Sequence, residues 1–274
     1  MTNKLDKTIV IKLGGSMFDS SDSTIQDIVR LQKQGKSLII VHGGQNLVTE
    51  WLQKRGVVTT FFQGERITDE VTLEVVTAVL AGLVNKEIVA AIITAGGQAA
   101  GVSGVDGALI QGKIKDKKMG STGTVTRVNL TLLMTLLGSG FIPVVAPVSL
   151  HAFGKPGRAP LLLNINGDTV AGEIATAIDA KKLIFLTDIG GICNESGKLL
   201  PHLSPSEAKT LLDSGVASRG MIPKIKTCLK ATSNAAIACA IIDGRQSHAL
   251  LREVEAGGLG TTIQKIYQRN EEEV

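Results

Sequence analysis

Short aliphatic runs, closed by glycine pairs or turn residues and alternating with segments of helical period, recur along the whole chain. Thr8 to Leu13 (TIVIKL), Ser37 to His42 (SLIIVH), Phe141 to Val148 (FIPVVAPV), Lys182 to Thr187 (KLIFLT) and Cys239 to Ile242 read as strands. Between them lie helical segments with identifiable starts and stops. Ser23 or Thr24 can cap a helix carrying Ile25, Ile28 and Val29, which Gly35 ends. Leu47, Val48, Trp51 and Leu52 mark the inner face of a second helix, with Gly56 past its end. Thr68 or Asp69 caps a long third helix that stops near Ala95, before Gly96 and Gly97. Further helices are expected at Leu130–Leu137, from Asp168 or Thr169 to about Asp179, at Pro205–Asp213, from Pro223 to about Ser233, and near Ala249–Val254. Residues 99–127, rich in Gly, Lys and Thr, read as short strands with turns, a hairpin among them.

This recurrence predicts an α/β fold: an open, mainly parallel sheet sandwiched between helical layers. Composition agrees. Hydrophobic residues make up 43% but aromatics only 3%, so the core is built from Val, Ile, Leu and Ala, which suits buried parallel strands. The 274 residues suffice for one large α/β domain or two lobes. A weak boundary near Ala180 divides them into 1–180 and 181–274.

In such folds ligands bind beyond the carboxyl ends of the strands. Lys12, Gly43, Gly44 and Asp188 all fall at such ends. In KLGGS, Gly14 and Gly15 remove side-chain bulk, so backbone N–H groups can approach an anion beside the Lys12 charge. VHGGQN repeats that logic. Lys224 follows Pro223 at a helix start, where free N–H groups and the helix dipole favour an anion. Each feature also has a plain structural alternative: turn glycines, a surface lysine, and Asp168 as a helix cap. The LTDIGGI string can cradle an adenine or ribose, or simply turn the chain. Taken together, two cations and one carboxylate at strand-to-helix junctions point to phosphoryl transfer.

Other chemistries lack their residues. There is no GxxxxGK[ST], no GxGxxG, and no HRD or DFG string. His42, His151, His202 and His248 form no triad or metal-ligand spacing, and His42 reads as a structural histidine rather than a base. No intrinsic metal site is expected. Cys193, Cys228 and Cys239 form no CxxC pair and read as reduced thiols. A net charge of +4, interspersed, is too weak for a nucleic-acid face. The N-terminal segment lacks signal-peptide features, and no run of apolar residues reaches the ~18 of a membrane span. A soluble cytoplasmic protein, free of nucleic acid and membrane, is expected.

Taken in order, KLGG, VHGG, GERITD, LAGLVNKEIVA, NINGDTVAGEIA, LTDIGGI and RGMIPKI resemble the amino-acid kinase family, and within it the acetylglutamate-phosphorylating branch. The resemblance runs from Ile9 to about Gly260. It implies an αβα sandwich whose N-terminal lobe binds the amino-acid substrate and dimerises, and whose C-terminal lobe binds ATP. By resemblance, Lys12 and Lys224 stabilise the transferring phosphoryl and Asp168 holds them. Gly14, Gly15 and Gly44 supply backbone N–H groups. Arg66 pairs with the substrate α-carboxylate, and Asn164 hydrogen-bonds the substrate beside Gln45. Asp188, Ile189, Gly190, Gly191, Ile192, Ser218, Arg219, Gly220 and Met221 line the nucleotide site.

The implied acceptor is the side-chain carboxylate of N-acetyl-L-glutamate, already ionised at neutral pH, so no general base is needed. The implied cofactor is ATP with Mg²⁺ carried by the nucleotide. Two departures stand out. Gln45 occupies the third glycine of the family's usual HGGG, a position a related kinase of carrier-bound α-aminoadipate or glutamate also relaxes. Only about seven residues precede the first strand, too few for the extra helix of arginine-inhibited members; a homodimer without that feedback is expected. A non-catalytic amino-acid-binding regulator, a kinase of carbamate, aspartate or a nucleoside monophosphate, and a dinucleotide oxidoreductase are the rival readings.

Overall fold

The computed structural model describes residues 8–14, 22–62, 64–153, 160–215, 220–233 and 237–265. In chain order the strands are β1 (Ile9–Leu13), β2 (Leu38–His42), β3 (Phe61–Phe62), β4 (Glu65–Arg66), β5 (Ala99–Gly104), β6 (Ile110–Ile114), β7 (Gly123–Val128), β8 (Ile142–His151), β9 (Leu162–Asn164), β10 (Lys182–Thr187), β11 (His202–Leu203), β12 (Ala238–Asp243) and β13 (Thr261–Ile263). The helices are α1 (Asp22–Lys33), α2 (Gln45–Lys54), α3 (Glu70–Val76), α4 (Asn85–Thr94), α5 (Thr131–Gly138), α6 (Gly167–Ala177), α7 (Pro205–Asp213), α8 (Ile222–Ala231) and α9 (Ala249–Glu255).

One 11-stranded sheet carries the fold, in the order β11-β13-β12-β10-β1-β2-β8-β6-β7, with β5 and β9 also paired to β8. Its centre is parallel: β1 lies between β2 and β10, with Lys12 beside Val41 and Phe185. Antiparallel pairs occur at β12–β13, β6–β7 and β8–β9. The sheet is therefore the expected α/β type and runs unbroken past Ala180. A separate hairpin, β3–β4, carries Arg66 opposite Phe61.

The period of two along each strand divides the core between the two faces. Ile9, Ile11, Leu38, Ile40, Ile184 and Leu186 join one cluster; Val10, Ile39, Val41, Leu183 and Phe185 join the other. Burial of such side chains stabilises by roughly 1.5–3 kcal/mol each. Lys12 shares the face of Val10, the face on which α6 packs against β1.

The long helix begins where expected. Asp69 caps it, its side chain accepting from Thr72 N at 2.8 Å. Between α3 and α4 it widens into a π-helical stretch, Thr77–Val84. Glu70–Thr94 is 25 residues and, by length and mean composition, apolar enough to cross a bilayer, although Glu74, Lys86 and Glu87 interrupt it and no unbroken apolar run reaches the ~18 of a span. Its inner stripe, including Val75, Val79, Val84, Ile88 and Ile92, is instead packed in the core.

Several strands lie outside the sequence expectation. β3, β4, β9, β11 and β13 are two or three residues long, too short to show a period. β8 continues past Val148 to His151 because β6 and β9 pair with its end.

Candidate functional site

A cavity of about 320 Å³ opens at the carboxyl ends of β1, β2 and β10, and Lys12, Gly14, Gly44, Gln45, Arg66, Asn164, Asp168, Asp188, Gly220 and Lys224 all line it. Residues spaced over more than 200 positions thus converge on one cleft, where the parallel topology directs them.

Its centre is a three-residue charge cluster. Asp168 Oδ1 lies 2.8 Å from Lys12 Nζ, and Asp168 Oδ2 accepts from Lys224 Nζ at 3.1 Å. The Lys12 contact lies off the hydrogen-bond direction, so Oδ1 has a charge neighbour but no directional donor. Lys12 and Asp168 are buried, Asp168 the deeper, and Lys224 is half-buried. Burial pushes the Asp168 carboxyl up, but the two ammonium groups together outweigh it and hold the group below its ordinary range. The cluster is a carboxylate between two cations, with one positive charge in excess.

Asp168 is not the helix cap. That role belongs to Asn166, whose Oδ1 accepts from Asp168 N at 2.8 Å and Thr169 N at 3.4 Å. The capping satisfies two N–H groups of the α6 amino end and leaves the Asp168 side chain to the lysines. By contrast, α2 and α8 have no side-chain cap, and α8 carries Pro223 in its first turn with Lys224. The first α2 bond runs from Val48 N to Gly44 O, so the N–H groups before it lack helix partners.

The glycines divide by role. Gly44 has φ 143°, and a Cβ there would come within 2.7 Å of Leu80 Cδ2. Its N–H makes no backbone hydrogen bond among the described residues. Gly14 lines the cavity, yet its N–H donates to Leu186 O at 3.0 Å. The expectation that Gly14 offers its N–H to phosphate is therefore corrected: the donor is spent on extending the β1–β10 ladder. Gly15, Ser218 and Arg219 lie outside the described residues.

Arg66 forms the second corner. It is 3% exposed and meets only neutral acceptors: Nη1 donates to Thr59 Oγ1 at 3.1 Å, and Nη2 to Gln45 O at 2.9 Å and Thr49 Oγ1 at 2.8 Å. Phe61 covers it, with the guanidinium carbon 4.8 Å from the ring centre. Burial pulls its pKa down to about 10, which leaves it a cation at neutral pH. No acidic side chain among the described residues pairs with it. Such a cation is suited to a ligand carboxylate. Beside it, Asn164 Nδ2 donates to Thr68 Oγ1 at 3.0 Å, leaving Oδ1 without a protein partner among the described residues. Thr122 Oγ1 ties this corner together, bonding Arg66 O at 2.6 Å and Thr68 Oγ1 at 3.1 Å.

Gln45 is the first residue of α2; its side chain is exposed at the cavity while its carbonyl holds Arg66. Asp188 reaches the cavity beside Thr187; Ile189 and Gly190 follow it in the chain and are exposed, but do not line the cavity. Gly191 and Ile192 do not reach it. Ile192 is 3% exposed in the core, and its N–H donates to Thr261 Oγ1 at 2.8 Å. Met221 is likewise a core residue, whereas Gly220 lines the cavity. Placing Ile192 and Met221 at a nucleotide surface is corrected by this packing.

His42 is fully buried. Its Nδ1 donates to Gly43 O at 2.8 Å, and Nε2 faces Asn85 Nδ2 at 3.2 Å. Burial first, then Lys12 and Lys86, push its pKa down to about 4 against the opposing Gly43 bond. It is a neutral structural group. Sequence reading does not single out Thr49, Thr59 and Thr122, since scattered threonines carry no spacing signal, and offers Thr68 only as a helix cap; Asn166 stands inside NINGD, where Asp168 is the residue offered as a cap in the structural alternative.

The chain matches the model of the amino acid kinase family over residues 7–243. It is 49% identical over 263 residues to the acetylglutamate kinase of Dehalococcoides mccartyi strain CBDB1, covering 96% of each chain. Its identity to the acetylglutamate kinase of Nostoc sp. strain PCC 7120 is 44% over 265 residues, covering 94% of this chain and 87% of that one. Among solved structures, smu.665 from Streptococcus mutans UA159 superposes with a TM-score of 0.83 at 27% identity, covering 95% of this chain and 100% of that one. Giardia carbamate kinase shares the fold at a TM-score of 0.67 and 15% identity, covering 95% and 99%.

Proposed function

Because this chain belongs to the amino acid kinase family, we propose that it transfers the γ-phosphoryl group of ATP to the side-chain carboxylate of N-acetyl-L-glutamate. The product is N-acetyl-L-glutamyl 5-phosphate, and the place of the reaction is arginine biosynthesis. One observation supports the reading most: two ammonium groups share the buried Asp168 on one side of a cavity whose other side holds Arg66 without an acid.

The chemistry follows from charge. A carboxylate oxygen forms the new P–O bond, the bond from the γ-phosphorus to the β–γ bridging oxygen breaks, and ADP leaves with that electron pair. No proton moves, because the acceptor is ionised. This agrees with a site whose histidine is neutral and engaged on both ring nitrogens. Lys12 and Lys224 neutralise the phosphoryl oxygens, and Asp168 holds them at the required positions. Arg66 takes the α-carboxylate, Asn164 a polar group of the substrate, and Gly44 and the first turn of α2 an anionic oxygen.

The nucleotide lies toward Asp188, Ile189, Gly190 and Gly220. The residues fit a nucleotide that brings its own Mg²⁺: both Asp168 oxygens already face ammonium groups, so that carboxylate is no metal ligand. Mg²⁺ would supply further neutralisation of phosphate oxygens. In this reading residues 1–180 hold the amino-acid substrate and residues 181–274 the nucleotide. The protein works in the cytoplasm as a homodimer; Leu83 and Ile93, 36% and 53% exposed on the long helix, support a self-contact there.

The test is ATP turnover with N-acetylglutamate, glutamate, N-acetylaspartate and carrier-bound α-aminoadipate side by side. Turnover with N-acetylglutamate far above the rest is expected. Turnover with the carrier-bound acceptor alone would overturn the substrate, turning attention to Gln45, and no turnover with any would favour a binding regulator.

A further inference from the structure

We propose that Asn85 is a positioning residue for the Gly43–Gly44 turn and acts through His42, an inference that rests on the reading that Gly44 N–H receives an anion. Asn85 is 0% exposed and begins α4, directly after the π-helical stretch. Its Nδ2 donates to Val144 O at 2.8 Å and meets His42 Nε2 at 3.2 Å, with Val102 O at 3.3 Å. Its Oδ1 accepts from Lys86 Nζ at 3.0 Å. The amide end facing the imidazole is therefore a donor, and Nε2 must accept.

That choice fixes the rest of the ring. With Nε2 unprotonated, the hydrogen sits on Nδ1 and is donated to Gly43 O at 2.8 Å. The charged groups that act on the ring are Lys12 from β1 and Lys86 from α4, and both disfavour a second proton. A trans peptide directs its C=O and N–H to opposite sides. Holding Gly43 O toward His42 therefore turns Gly44 N–H away from the imidazole. That N–H has no backbone partner among the described residues, and both glycines line the cavity.

The long helix reinforces the turn from the same side. Leu80 and Val84, in the π-helical stretch, lie 2.7 Å and 3.4 Å from where a Gly44 Cβ would stand. A wide turn advances the residues that follow it around the helix, and π segments often serve sites in this way. On the far side β5 closes the space: a Cβ on Gly101 would sit 2.0 Å from Asn85 Oδ1. The amide is thus confined to one place between β5, β8 and the imidazole.

Three variants separate positioning from packing. In Asn85→Ala the imidazole loses its donor. His42→Gln reaches toward Asn85 but gives up the hydrogen bond to Gly43 O. His42→Asn keeps an N–H near the Nδ1 position. At a temperature where all are folded, kcat/KM is expected to fall at least about 10-fold in Asn85→Ala and His42→Gln, and much less in His42→Asn. Without any substrate, ¹⁵N NMR is expected to show His42 as the Nδ1–H tautomer in the wild type, and a changed tautomer and a shifted Gly44 amide in Asn85→Ala. Unchanged His42 and Gly44 signals in Asn85→Ala would overturn the proposal. So would rates that track melting temperature across the variants, with His42→Asn as impaired as His42→Gln. If Asn85→Ala does not fold, the two His42 variants decide. An inactive wild type would sink the acetylglutamate reading instead, and the NMR comparison would still judge Asn85.

Discussion

Two corners of one cavity hold cations by opposite means. At the Lys12–Asp168–Lys224 corner, two ammonium groups share one buried carboxylate and stay in place without a ligand. At the Arg66 corner, the guanidinium is just as buried but is held by two threonine hydroxyls and a backbone carbonyl, none of them charged. The first arrangement keeps its geometry while charge develops and moves. The second leaves a full charge to be met by a fixed anion. Under the proposed function the difference assigns the reaction to the first corner and binding to the second: losing a cation from the first should cost rate, and from the second, affinity.

The largest effect should come from the first corner. Lys12→Ala and Lys224→Ala are each expected to lower kcat by about 100- to 1000-fold, the usual cost of losing one preorganised electrostatic contact, with circular dichroism unchanged. Near-normal kcat in either would break the division. The next effect is at the second corner. Arg66→Ala is expected to raise the KM for acetylglutamate by about 10- to 100-fold, a loss of about 1.4 to 3 kcal/mol, and to leave the KM for ATP nearly as it was. Steady-state kinetics in each substrate checks this, and equal rises in both KM values would erase the contrast.

A third test concerns what lies beneath the two corners. His42 has its folded pKa lowered from 6.5 to about 4. Between those values the unfolded chain binds more protons, so stability is lost as pH falls from about 6.5 toward 4. The loss is about 3 kcal/mol if His42 acts alone. Urea unfolding at pH 7 and pH 5 should show it, and His42→Gln should flatten that part of the profile. The smallest effect is expected at Gln45. Its side chain is exposed and only its carbonyl serves Arg66, so Gln45→Gly should change kcat/KM by no more than about 3-fold. A large change would mean that the side chain reaches the acceptor.

Much of this was legible in the sequence, for physical reasons. Buried parallel strands such as Lys182–Thr187 are continuous aliphatic runs, and helix α7 runs over Pro205–Asp213 as its sequence indicates, with a Ser204–Glu207 capping box that the structure adds. Lys12, Asp168 and Lys224 stood out because charge at strand-to-helix junctions needs explaining. What was not legible depends on long-range placement. Nothing local tells that Gly14 N–H is consumed by Leu186, or that Asn166 rather than Asp168 caps α6. Ile192 and Met221 sit in nucleotide-like strings, yet Thr261 and the core take them. The threonines that orient Arg66 come from three separate stretches of chain and converge only once β3–β4 folds over α2.

The most direct test is to trap the product. Hydroxylamine converts an acyl phosphate into a stable hydroxamate, so wild-type protein, ATP, Mg²⁺ and N-acetylglutamate should yield hydroxamate in step with ADP. Arg66→Ala should recover much of that rate at saturating N-acetylglutamate, and Lys12→Ala should not. ADP without hydroxamate, or Lys12→Ala recovering while Arg66→Ala does not, would contradict the division between the two corners.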